Sequence, residues 1–71
     1  MTNAAPLELL DKAINKRVKI IMRNNYEITG ILKSFDEFVN CILEDAKDSK
    51  DIGDILLNGN NICIILPEIQ A

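Results

Sequence analysis

Leu7, Leu10 and Ile14 fall at the i, i+3, i+7 spacing of one helix face, with Glu8 and Asp11 early and Lys12 and Lys16 late. Pro6 suits the first helical position, where its fixed φ is already helical and its missing N–H is not needed. The spacing predicts a short amphipathic helix over 6–14, packed on a sheet and terminated by Asn15 in a left-handed conformation. From Arg17 the period changes to two. Val18, Ile20 and Met22 point one way and Arg17, Lys19, Ile21 and Arg23 the other, which predicts a half-buried strand over 17–23.

Asn24-Asn25 suits a two-residue hairpin turn because Asn accepts positive φ, so 26–35 reads as the return strand. Gly30 interrupts it. A glycine inside a strand marks a bend, a bulge or the close approach of another backbone, and a strongly curved strand is the preferred reading. A third strand is expected over 38–46, with Val39, Cys41 and Leu43 on its core face. After the polar connection Lys47-Asp48-Ser49-Lys50-Asp51, two more strands follow over 52–57 and 62–66. They are hinged at Asn58-Gly59-Asn60-Asn61 and stopped by Pro67.

The segment Ile62-Cys63-Ile64-Ile65-Leu66 is apolar on both faces, which implies burial on both sides. With 71 residues there is room for one domain, 1–71, and a thin core. Chains this small are commonly reinforced by disulfides, a metal or a partner subunit. Cys41 and Cys63 lie far apart in apolar runs without a C-x-x-C pattern, and read as free buried thiols. The chain has no His, so a structural zinc site is not expected. Oligomerisation is left, and pairing the last strand with a neighbour's strand would satisfy its edge and its surface together.

The formal charge is −3, from 11 acidic and 8 basic residues, which disfavours a monomer gripping nucleic acid through a broad basic face. RNA binding would be local, or shared with more basic partners. No run approaches the ~20 apolar residues of a membrane span, so a soluble, intracellular protein with no membrane partner is expected. Asp36-Glu37 and Glu44-Asp45 come with no metal cluster or second base, and read as solvated turn and strand-end charges. With no nucleophile–base pair and no cofactor loop, neither an enzyme nor a cofactor is expected.

Two motifs carry the specific signal: Gly30 with Phe35-Asp36-Glu37-Phe38-Val39-Asn40, and Leu56-Leu57-Asn58-Gly59-Asn60-Asn61-Ile62. One helix, five strands, a strand-bending glycine, D-x-x-x-N after the second strand and L-x-G-N before the fifth is a layout that resembles the Sm and Sm-like (LSm) proteins. The resemblance covers nearly the whole chain. With Pro6-Leu7-Glu8-Leu9-Leu10-Asp11-Lys12 added, the pattern is most similar to that of the fifth paralogue of the eukaryotic Sm-like heptamer.

The resemblance implies a mostly β fold, a strongly bent five-stranded antiparallel barrel of SH3-like or OB-like kind with an N-terminal helix. It also implies a closed ring in which the fourth strand of one subunit pairs with the fifth of the next. Uridine-rich RNA would thread the inner rim. By this match Phe38 stacks on a base, Asn40 hydrogen-bonds its edge, and Asn58, Gly59 and Asn60 form the second loop of the pocket.

Asn58 stands where many members carry an Arg that stacks opposite the aromatic, which removes a cation–π partner. The implied roles are the oligouridine 3′ end of U6 small nuclear RNA in splicing, and mRNA decay, in nucleus and cytoplasm. Each assignment has a plainer rival. Phe38 would then fill core, Asp36 and Asn40 would brace the turn, and Asn58-Gly59 would be only a tight turn. A structural ring subunit with a vestigial pocket and a homo-oligomeric RNA chaperone are the competing functions.

Overall fold

The computed structural model describes residues 7–67, which form one short helix and five strands. The elements are α1 (Leu7–Lys12), β1 (Arg17–Met22), β2 (Glu27–Phe35), β3 (Cys41–Lys47), β4 (Asp51–Leu57) and β5 (Ile62–Pro67), with 3₁₀ turns at Arg23–Asn25 and Gly59–Asn61. The placement of Pro6 and the side chain of Leu7 lie outside the described residues. Among those residues no helix is long and apolar enough to cross a membrane.

α1 is shorter than the expected 6–14. Asn15 takes a left-handed φ of 69°, and the chain tightens before it through Ala13 N–H donating to Leu10 O at 2.9 Å. Asn15 N–H then donates to Leu32 O at 2.7 Å, and Leu32 N–H donates to Lys16 O at 3.0 Å, so the helix exit is clipped to β2. Arg23 leaves the first strand for the hairpin turn, where Asn24 and Asn25 both have positive φ.

All strand pairs are antiparallel, in the order β4-β3-β2-β1-β5. The sheet bends where its register slips, between Thr29 and Ile31 and between Leu32 and Ser34 in β2, and between Leu43 and Ala46 in β3. Gly30 sits at the first of these slips. A Cβ there would lie 3.2 Å from Ala46 Cα and Leu43 Cβ, so the glycine permits the close approach that folds β2 over β3. On β3 the extra residue is Asp45, at φ 55°. It lets Cys41, Leu43 and Ala46 all point inward although the spacing departs from two.

Val18, Ile20, Leu32, Cys41, Leu43 and Ala46 are fully buried, with Leu10 and Ala13 closing the core from the helix side. Two expectations are corrected. The third strand starts at Cys41 and not at 38, because Phe38 and Asn40 belong to a side-chain-braced turn. Cys63 is exposed, whereas Cys41 is buried as expected. The cause is topological: β4 and β5 are the two edges of the sheet, and within one chain nothing covers the outer edge of β5.

Candidate functional site

The turn between β2 and β3 is organised by one carboxylate. Asp36 Oδ1 accepts from Phe38 N–H at 2.8 Å and from Asn40 N–H at 3.0 Å, while Oδ2 accepts from Asn40 Nδ2 at 2.9 Å. An Asp that binds backbone amides two and four residues on competes with strand pairing, which is why the third strand is delayed. Asn40 holds the carboxyl of Asp36 below its ordinary range, chiefly through the side-chain bond, with the backbone amides adding to it. Asp36 N–H donates to Asn40 O at 3.1 Å and closes the turn from the other side.

Asn40 then reaches across to the second loop, where its Oδ1 accepts from Gly59 N–H at 2.7 Å. The orientation of the amide is therefore settled by chemistry. A carboxylate only accepts and a backbone N–H only donates, so Nδ2 must face Asp36 and Oδ1 must face Gly59. Gly59 packs on the first loop so tightly that a Cβ would lie 2.0 Å from Phe38 O and 2.9 Å from Val39 C. The close approach this glycine makes is to its own chain.

Asn58 accepts from Asn60 N–H at 2.9 Å and caps the 3₁₀ turn, an Asx turn that the Asn-x-Asn spacing foreshadows. Phe38 is 71% exposed and contributes nothing to the core, which disposes of its plainer reading as a core residue. Thus Asp36, Phe38, Asn40, Asn58, Gly59 and Asn60 share one loop junction. Gly30 lies apart from it, between β2 and β3.

Behind the junction, Cys41 Sγ donates to Val39 O at 3.2 Å, and burial pushes its thiol up to about 11, so it is unreactive at neutral pH. Among the described residues there is no group of three His, Cys, Asp or Glu side chains placed to hold a metal. One feature was not legible in the sequence because four separate segments build it. A cleft of about 530 Å³ runs beside β5, floored by Ala13, Val18, Ile62 and Ile65, bounded by Phe38 and Gly59, and rimmed by Lys12, Lys16 and Arg17.

A family model described as the LSM domain matches residues 8–67. The LSM complex subunit LSM5 of Saccharomyces cerevisiae is 43% identical over 76 residues, spanning 87% of this chain and 82% of the yeast protein. Among solved structures, the SmAP1 heptamer of P. aerophilum matches with a TM-score of 0.90 at 34% identity, covering 97% of this chain and 100% of that one. An Sm protein of Pyrococcus abyssii, solved in complex with a uridine heptamer, matches with a TM-score of 0.83 at 28% identity over 92% and 100% of the two chains.

Proposed function

The chain belongs to the LSM domain family, and from that premise we propose that it is an RNA-binding subunit of a heteroheptameric ring. In this reading it holds one base of a uridine-rich strand at the junction of Phe38 and Asn40 with the Asn58-Gly59-Asn60 turn. The fold supports ring membership because β4 and β5 are unpaired edges at opposite ends of one sheet, so one subunit's β4 can extend the next subunit's β5. The relatives support it too: one is a complex subunit, another a heptamer, and a third was crystallised with oligouridine.

The observation that carries the RNA reading is the state of the Asn40 amide. One of its two N–H groups is given to Asp36 and one Oδ1 lone pair to Gly59, which leaves one donor and one acceptor. Uracil offers a carbonyl acceptor beside its N3–H donor. Cytosine offers an amino donor beside a ring acceptor, the reverse order. An amide pinned at both ends cannot flip to suit the second, so the braced turn is itself the device that reads uracil. Phe38 supplies the stacking face.

The nuclear part of the role is in the U6 small nuclear ribonucleoprotein of splicing, and the cytoplasmic part is in mRNA decay. The subunit works by binding and has no catalytic activity. Oligouridine affinity of the assembled ring provides the test, with Phe38→Ala as the variant, because this side chain is absent from the core and its loss leaves the fold intact. Removing one stack is expected to weaken binding by about 1–3 kcal/mol. Unchanged affinity favours the second reading, a structural subunit with a vestigial pocket. The observation on that side is Asn58, whose side chain is engaged in its own turn and offers the base no cation.

A further inference from the structure

The two free edges of this sheet differ in chemistry as well as position. β5 borders the cleft, whose floor is apolar and whose rim carries Lys12, Lys16 and Arg17. Arg17 is already paired with Asp45 of its own chain at 3.2 Å, which leaves Lys12 and Lys16 without a carboxylate partner among the described residues. β4 presents Asp51 at its first position, with a side chain 84% exposed, and Leu56 near its last, 71% exposed. The only ion pair of Asp51 among the described residues is to Lys47, at 3.9 Å on the surface, a contact readily exchanged for another.

Direction decides whether these edges fit. Val18 pairs with Pro67 in the β1–β5 ladder, so the residues just before Val18, Lys16 and Arg17, lie at the C-terminal end of β5. An antiparallel β4 laid along β5 brings its acidic start to that basic end and its Leu56 to the apolar Ile62–Cys63 end. A parallel strand would set Leu56 against lysine and Asp51 against isoleucine. The charge pattern thus selects the orientation already used by every strand pair in the chain.

We infer that the β5 cleft is a seat for a second copy of this chain, entering by its β4 edge with Asp51 toward Lys12 and Lys16, so that the isolated chain assembles head to tail. The inference rests on the ring reading in taking β4 and β5 as the joining edges. It adds that charge at the cleft rim, as well as strand pairing, chooses the neighbour. Because the two edges are different surfaces of one molecule, the contact is heterologous and propagates until it closes.

Native mass of the full chain, alone and with two variants, tests it. Wild-type protein is expected to form assemblies at low salt that dissociate as salt rises. Asp51→Lys and the double variant Lys12→Glu with Lys16→Glu are each expected to weaken self-association by roughly tenfold or more, since like charges then face each other. Far-UV circular dichroism verifies that both variants are folded. Mixing them restores assembly, because each reversed edge meets the other's reversed edge.

Assembly unaffected by salt and by both variants overturns the inference, and so does failure of the mixture to recover. A wild-type chain that is monomeric alone yet enters a ring with other LSM subunits also overturns it, while the ring reading stands. A chain that does neither removes both.

Discussion

The two ends of the sheet are closed by different means. At one end the β2–β3 and β4–β5 loops are locked by a chain of bonds running from Asp36 through Asn40 to Gly59, with the last of these partly buried. At the other, Tyr26 donates to Asp48 across the hairpin tip and the β3–β4 loop, and Lys50 N–H donates to the same carboxylate at 2.9 Å. Both tie distant segments together, over 19 and 22 residues respectively, yet only the first ends on a backbone amide with no room around it. Bonds of the first kind are expensive to leave unmade, because the stranded group is withdrawn from water. Bonds of the second kind exchange with solvent. The rigid end is the one that offers an aromatic face and a pinned amide to a ligand.

The largest effect is expected from Gly59→Ala. The added methyl would overlap Phe38 O, a backbone atom that cannot rotate aside, so the two loops must separate and the Asn40–Gly59 bond with them. Overpacking of this kind costs about 1–3 kcal/mol, and the upper end is expected here. Urea unfolding should show the midpoint falling with the slope unchanged, and the assembled ring should lose affinity for oligouridine in parallel. Retention of wild-type stability would mean that the loops are not locked at this point, and the contrast between the two ends would fail.

A smaller effect comes from acid. Asp36 has a pKa lowered by folding, mainly by the bond from Asn40. Its contribution is therefore fully present above the ordinary carboxylate range and is lost as pH falls through the lowered folded-state value. From neutral pH down to about pH 5 the turn should hold, and below that range the amides of Phe38 and Asn40 should lose their acceptor together. Amide chemical shifts followed through an acid titration would show both moving with one midpoint. In Asp36→Asn that shared midpoint should vanish. Movement of the two amides at different midpoints would mean that one carboxylate does not organise the turn.

Much of this arrangement could be read from residue order. The period-two pattern of Val18, Ile20 and Met22 marks the core face of β1, and Asn15, Asn24 and Asn25 were placed at positive φ on residue type alone. Gly30 signalled a bend, and its cause is a close contact with Ala46 and Leu43. The start of the third strand was not legible. Phe38 and Val39 have strand propensity, but the reach of the Asp36 carboxylate to two amides prevails over propensity, and Val39 is turned to φ 63°.

Cys63 was misplaced for a different reason. An apolar run implies burial without saying whether the cover comes from the same chain, and here β5 is an edge. The motif residues were identified by spacing, whereas their bonds to one another depend on loops separated in sequence and brought together only by the bent sheet.

The smallest effect sharpens the contrast from the other side. Tyr26 is exposed, and its phenol pKa is raised, first by the hydrogen bond to Asp48 and then by desolvation and the nearby charge. Replacing it with Phe deletes the bond and leaves Asp48 facing water, where it is readily solvated and still accepts from Lys50 N–H. Tyr26→Phe is therefore expected to leave the unfolding midpoint and oligouridine affinity unchanged within error. The expected change is local, a faster amide hydrogen exchange at Ser49 and Lys50 as the β3–β4 loop loses its anchor. A drop in stability comparable to that of Gly59→Ala would show that the sheet is fastened equally at both ends. The locked loop junction would then be a feature of the fold at large, with no special bearing on what the pocket holds.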